Sequence, residues 1–374
     1  MRLLVTSTAG AGHYGPLAPF VRSFLRGGHD VLVAGPAALG PSVRDTAFWP
    51  VDDPPAAEMA AVFDGLPALS HEEANATVVR EVFARLDPTA ALPRLRAAIT
   101  EWRPDVVVRE SAELGGAIAA ELHGVPSASV AIGLVSMEHM MLEVGTPNVD
   151  ALRAAHGLTG SHRFAGEPYL TLFPAALEDP AAPPRSRVTR FRDPAWPVSG
   201  PRGGRPFVYV TFGSVLGALP FAADVYRAAL AVVGDLDADV LLTVGQGADP
   251  ASFGPVPANV RVERWVDQAA VLGRASAVVC HGGGGSTLGA LAAGVPLVVV
   301  PLFAADQHIN AHRVAAVGAG VVTDVAGIRP ALDAVLTDRS YRSAAQAVAA
   351  ELAAQPTTDE AASVLTGYWS GVDR

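Results

Sequence analysis

Short apolar runs alternate along the chain with amphipathic stretches, and this alternation predicts βαβ units closing on a parallel sheet. In the first half the expected strands are residues 3–7, 30–34, 105–108 and 128–132, with helices such as 17–26 and 112–123 between them. The second half repeats the scheme, with strands at 207–212, 240–244, 260–263, 277–280, 296–300 and 321–323. Between the halves, residues 179–205 are dense in Pro, Gly and Arg, the composition of a loop or linker. The fold expected is α/β: two doubly wound, Rossmann-like domains, 1–198 and 199–374, joined near residues 190–205. Ligands would then gather in a cleft at the carboxyl ends of the strands. Residues 358–369 read as a last helix that could pack on either half.

Composition narrows the function. At 374 residues the chain can bury two cores, and 50% hydrophobic with 17% charged residues fits a folded enzyme. No apolar run approaches the roughly 18–20 residues that span a bilayer. The opening segment reads as a buried first strand and not as a signal peptide, and the single cysteine, Cys280, cannot form an internal disulfide, so a cytoplasmic protein is expected. A net charge of −10 without basic clusters argues against nucleic acid and anionic membrane as partners. All 27 Lys or Arg positions are arginine. A chain without lysine forms no Schiff base and supplies neither a P-loop nor a kinase lysine.

Two glycine-rich segments carry the candidate chemistry. Gly10-Ala11-Gly12-His13-Tyr14-Gly15 matches the dinucleotide fingerprint, but the second strand ends Ala34-Gly35-Pro36 without the acidic residue that would hold a ribose. An NAD-dependent oxidoreductase therefore stays only as an alternative. His281-Gly282-Gly283-Gly284-Gly285-Ser286-Thr287, between a strand and a helix, has the makings of an anion cradle: backbone N–H groups, no Cβ in the way, and a helix dipole behind them. A tight turn capped by His281 is the simpler alternative. Trp265, followed by Val266, Asp267 and Gln268, could stack on a nucleobase while its neighbours read the edge; a lone tryptophan is more often a core residue, and only its position before the polyglycine loop favours stacking. Asp306-Gln307 could bind paired sugar hydroxyls or could serve as a helix cap.

Together these segments resemble the GT-B fold nucleotide-sugar glycosyltransferases of family 1, above all the actinobacterial enzymes that decorate macrolides, anthracyclines and enediynes. The resemblance spans the chain, through Gly12-His13-Tyr14-Gly15-Pro16-Leu17, residues 265–268 and 281–287, and Asp306-Gln307 with Asn310-Ala311. It implies His13 as the general base for the acceptor, oriented by an acid at the end of the Pro104-Asp105-Val106-Val107-Val108-Arg109 segment. That acid is Glu110, with Glu113 in reserve, where the family commonly has aspartate. It further implies that Trp265, Val266 and Gln268 hold the base. Gly213, Ser214, His281, Gly283, Gly284, Gly285, Ser286 and Thr287 would hold the diphosphate, and Asp306 and Gln307 the sugar. Family members that use UDP-glucose often carry a glutamate eight residues after the phosphate-binding histidine. Gly289 stands there, which leans towards a dTDP-sugar.

The reaction implied is an inverting transfer, with no cofactor, from a dTDP- or UDP-sugar onto a small aromatic or polyketide acceptor; a homodimer is the assembly allowed for. Residues 52–100 and 133–178, the least regular of the first half, would form the acceptor pocket, with Met137, Met140, Met141, Phe63, Phe83 and Leu142; ordinary helix core is the alternative for these side chains. A catalytically silent helper with the same fold is the competing class, disfavoured because it has no use for the base, the acid and the phosphate loop together. Asp235-Leu236-Asp237-Ala238-Asp239 matches a metal-binding pattern but precedes its strand, away from the ligand end, and no zinc-type spacing exists. Metal-independent catalysis is expected.

Overall fold

A computed structural model describes residues 1–162, 164–196, 204–214, 216–219 and 221–370. The chain divides into two compact units: residues 1–173, 179–193 and 356–374 form the first, residues 174–178 and 194–355 the second. Residues 197–203 of the expected linker, and with them the expected boundary at 198/199, lie outside the described residues.

The first unit is a seven-stranded, all-parallel sheet. Its strands are β1 (Arg2–Thr6), β2 (Asp30–Pro36), β3 (Ala47–Val51), β4 (Val106–Glu110), β5 (Ser127–Val130), β6 (Tyr169–Thr171) and β7 (Val188–Arg190), in the order β3-β2-β1-β4-β5-β6-β7. Its helices are α1 (Ala11–Arg26), α2 (Ala56–Gly65), α3 (His71–Thr77), α4 (Asp87–Trp102), α5 (Leu114–His123) and α6 (Val135–Ala155). Leu3, Leu4, Val5 and Val106–Val108 are all fully buried, as expected of a parallel sheet covered on both faces.

Three strands escape the sequence pattern for a physical reason. β6 and β7 are only three residues long, and β3 is an edge strand that contains Pro50, tolerated there because no neighbour needs its missing N–H. β7 lies within the expected linker, so the sheet of the first unit runs on into it. Residues 52–100 and 133–178 are also more regular than expected. Most of 56–102 is helical, including a π-helical stretch Val78–Leu86, and α6 runs for 21 residues through Gly145 and Pro147.

The second unit repeats the design with β8 (Phe207–Thr211), β9 (Asp239–Thr243), β10 (Val260–Glu263), β11 (Ala277–Cys280), β12 (Leu297–Val299) and β13 (Gly320–Val322), all parallel in the order β10-β9-β8-β11-β12-β13. Helices α7 (Ala222–Val233), α8 (Gln268–Leu272), α9 (Gly284–Ala292), α10 (Ala305–Ala316), α11 (Ile328–Thr337) and α12 (Arg339–Ala354) cover it. The last helix, α13 (Ala361–Ser370), belongs to the first unit, where Thr358 just before it bonds Ser23 of α1. In each sheet the strand order reverses beside the first strand, between β1 and β4 and between β8 and β11. Such a switch point opens a crevice at the carboxyl ends of the two strands. No helix among the described residues is long and apolar enough to cross a membrane.

Glu113 shows how tightly the first crevice is built. It stands before α5, and its carboxylate accepts the Gly116 N–H at 2.9 and 3.0 Å as an N-cap, while the Thr6 hydroxyl donates to it from β1. Burial outweighs these bonds and pushes its pKa up to about 7. The folded state therefore keeps this proton to higher pH than an unfolded chain does. The contribution is complete below about pH 4.5 and is lost as pH rises through 7. Glu113→Gln should cancel that slope. In urea denaturation, wild type should lose up to roughly 3 kcal/mol relative to the variant between pH 5 and 8; parallel profiles would exclude this titration.

Candidate functional site

The site in the first unit grows from the switch point. β1 and β4 pair with Thr6 opposite Arg109, so the residues after Thr6 and the carboxyl end of β4 lie side by side. After β1 the chain turns through Gly10, at φ +110°, where a side chain would be strained, and enters α1 at Ala11. His13 therefore lies in the first helical turn and not in a loop. Its Nδ1 is 2.9 Å from Oε1 of Glu110, the last residue of β4. The His13 side chain is 21% exposed while that of Glu110 is fully buried.

Burial alone would raise the Glu110 pKa. The facing His13 charge and bonds from His13, from the Thr8 hydroxyl at 2.8 Å and from the Ala112 N–H reverse this, and the carboxyl sits below its ordinary value. An ionised carboxylate only accepts hydrogen bonds, so Nδ1 carries the hydrogen and Nε2 is the basic nitrogen. Glu113, three residues on, is the α5 cap and not the partner of His13. Asp87, at the start of α4, feels the His13 and Glu110 charges, and burial raises it to about 6.

Beside this pair lies a small apolar cluster. Val79, Ala112 and Met141 are buried in it, with Phe83, Met137, Met140, Ile132 and Val144 packed around them. The Phe83 ring, carried on the π-helical stretch, is 5.3 Å from the His13 ring. Of the other apolar residues expected here, Leu142 packs into the main core of the unit and Phe63 is exposed on α2.

The second unit repeats the arrangement with different chemistry. Thr211 of β8 pairs with Cys280 of β11, so Gly213 and His281 meet at this sheet's switch point. A Cβ on Gly213 would fall 2.8 Å from Cε1 of His281, and one on Gly283 would fall 2.5 Å from its Nε2. The imidazole thus fills a slot between two glycine backbones. Burial lowers its pKa to about 4, and its Nδ1 is buried without a hydrogen-bond partner. At neutral pH His281 is an uncharged ring with one N–H to donate.

Gly284 and Gly285 form the first turn of α9, with Gly283 at the N-cap, so their free N–H groups line the helix start. Ser286 is half-buried and takes a 3.3 Å bond from the Gln268 amide, and Ser214 is exposed beyond Gly213. Thr287 is fully buried and offers no surface to a ligand, a correction to its expected role. Trp265 is 65% exposed after β10 and followed by half-buried Val266; it is no core residue. Gln307 differs from expectation as well. It is buried, and its amide oxygen accepts from the Leu302 and Phe303 N–H groups at 2.9 and 3.1 Å, bracing the turn before Asp306. Asp306 lies in the first turn of α10, whose N-cap is Ala304.

Sequence reasoning passed over Thr8, and it gave Asn310 no role; its amide donates to the Gly282 carbonyl at 2.8 Å and ties α10 to the glycine turn. Asp237 and Asp239 pair with Arg205 at the amino end of the second sheet, away from these residues. Among the described residues no group of three metal-ligating side chains forms.

Residues 227–367 match the family described as erythromycin biosynthesis protein CIII-like, C-terminal domain. The L-demethylnoviosyl transferase of Streptomyces niveus is 33% identical over 96% of this chain and 95% of its own. The elloramycin glycosyltransferase ElmGT of Streptomyces olivaceus is 33% identical over 98% of both. Among solved structures, the glycosyltransferase VinC in complex with dTDP superposes with a TM-score of 0.77 at 26% identity, over 98% of each chain. With two Rossmann-like parallel-sheet units and one third of its residues shared with such relatives over nearly full length, the chain belongs to the GT-B glycosyltransferases of actinobacterial natural-product pathways.

Proposed function

We propose that this glycosyltransferase moves a sugar from a dTDP- or UDP-sugar onto a hydroxyl of a small lipophilic acceptor, with inversion and without a metal ion. The observation that carries the reading is the His13–Glu110 pair. A buried ionised carboxylate holds Nδ1–H of a partly exposed imidazole and leaves Nε2 basic. Nε2 takes the acceptor proton as the acceptor oxygen bonds to the anomeric carbon, and the bond from that carbon to the diphosphate oxygen breaks in the same step. Phe83 and the methionines of α6 supply apolar surface beside the base, suited to a flat or polyketide-like acceptor.

The leaving diphosphate gains its stabilisation from neutral donors: the N–H groups at the start of α9, the α9 dipole, the Ser286 hydroxyl and the single N–H of His281. Exposed Trp265 offers a stacking face to the base, with Val266 and Gln268 beside it, and Asp306 offers a carboxylate to the sugar. dTDP is the favoured nucleotide. Gly289 carries no side chain that could grip a pair of ribose hydroxyls, and the related VinC is a dTDP complex.

dTDP should raise the melting temperature of the protein. His13→Ala should cut transfer at least 10²-fold while keeping that thermal shift. Failure of both dTDP and UDP to stabilise the wild type would sink the reading. Gly213→Ala should weaken dTDP binding about tenfold or more by calorimetry, because the new methyl displaces the His281 ring and strains a residue at φ +80°. An unchanged dissociation constant would remove His281 from the phosphate site.

A further inference from the structure

Arg109 ends the apolar run of β4, yet it is 1% exposed in the middle of a sheet. Burying a guanidinium is costly unless its charge is paired and hydrogen-bonded, and here both terminal nitrogens are engaged. One of its terminal nitrogens donates to three main-chain carbonyls of the turn that follows: Glu110 at 3.2 Å, Ser111 at 2.7 Å and Glu113 at 3.3 Å. The other terminal nitrogen donates to Glu167, which is itself held by the Ser127 hydroxyl at 2.9 Å. The ring of Phe164 lies 5.4 Å from the guanidinium carbon.

We propose that Arg109 is a positioning residue for the reaction proposed above, clamping the Glu110–Glu113 turn so that the Glu110 carboxylate faces His13. The inference rests on His13 acting as the base. Residues 110 to 113 make a sharp passage from strand to helix, and three of their carbonyls converge on a single guanidinium nitrogen. The same short turn carries the Ala112 N–H that bonds Glu110 and the Glu113 carboxyl that caps α5. Arg109 thus fixes from behind the two groups that define the site in front.

The charges facing this cluster come from several elements. Glu138 of α6 bears on Arg109 and is paired with Arg185 at 3.6 Å; Glu167 precedes β6, Asp87 opens α4, and His13 belongs to α1. Ser111 of the clamped turn also bears on the Glu138 carboxyl, which brings α6, with its methionine face, against the same passage. A lysine in place of Arg109 keeps the charge but cannot present a planar fork to three carbonyls and a carboxylate together.

The test is ¹⁵N-labelled histidine NMR on the full chain, with the His13 signal identified by its loss in His13→Ala. In the wild type His13 should show the Nδ1–H tautomer. In Arg109→Lys the tautomers should mix and the His13 pKa should fall as the carboxylate withdraws. kcat for transfer should fall at least tenfold, with the melting-temperature shift on dTDP unchanged. Glu167→Gln, which leaves Arg109 and its carbonyl bonds in place, guards against loss of folding and should move His13 in the same direction by less. A folded Arg109→Lys with the wild-type His13 tautomer and pKa would overturn the clamp. Mixed tautomers in the wild type itself would instead refute the His13–Glu110 pair on which the proposal rests.

Discussion

The first unit depends on an ionised carboxylate kept out of water. Glu110 lies at the end of the second strand of the switch point with no exposed surface, and such a charge persists only when donors surround it. The donors come from elements far apart in sequence: His13 from the start of α1, Thr8 from the segment after β1, and the N–H of Ala112 from its own turn. Each of these groups is placed by the parallel pairing of β1 with β4. The crevice is therefore a product of sheet topology first and of side-chain choice second.

The second unit solves the opposite problem with the same geometry. On the proposed reading the diphosphate meets no buried cation among the described residues; it meets a ring held neutral by burial, two glycine backbones packed against that ring, and the free N–H groups of a helix start. Neutral donors stabilise an anion without the desolvation cost of a fixed positive charge. Gly213 and Gly283 are required because the imidazole occupies the space their side chains would fill. Asn310 and Gln307, both buried, hold the neighbouring turns in place from α10.

Strands buried on both faces were legible as apolar runs, as residues 3–5, 106–108 and 277–280 illustrate. Three-residue strands and a proline-bearing edge strand were not, since neither has room for a pattern. α6 was hidden by Gly145 and Pro147, and the start of α1 by glycines that read as a loop. The family resemblance pointed to Glu110 with Glu113 in reserve, and only the structure shows which of the two carboxyls caps α5. Thr287 read as a ligand from its place beside the glycines, whereas helical geometry turns it into the core. Arg109 left one trace, a charge closing an otherwise apolar strand, and its use became visible only with the three carbonyls around it.

The account stands on His13 and Glu110 acting as one unit. A double-mutant cycle on the transfer rate, with His13→Ala, Glu110→Gln and both together, measures that directly. If the carboxylate works only through the imidazole, the double variant should be about as slow as His13→Ala alone. Rate losses that multiply in the double variant would contradict the account, because Glu110 would then be acting independently of the base.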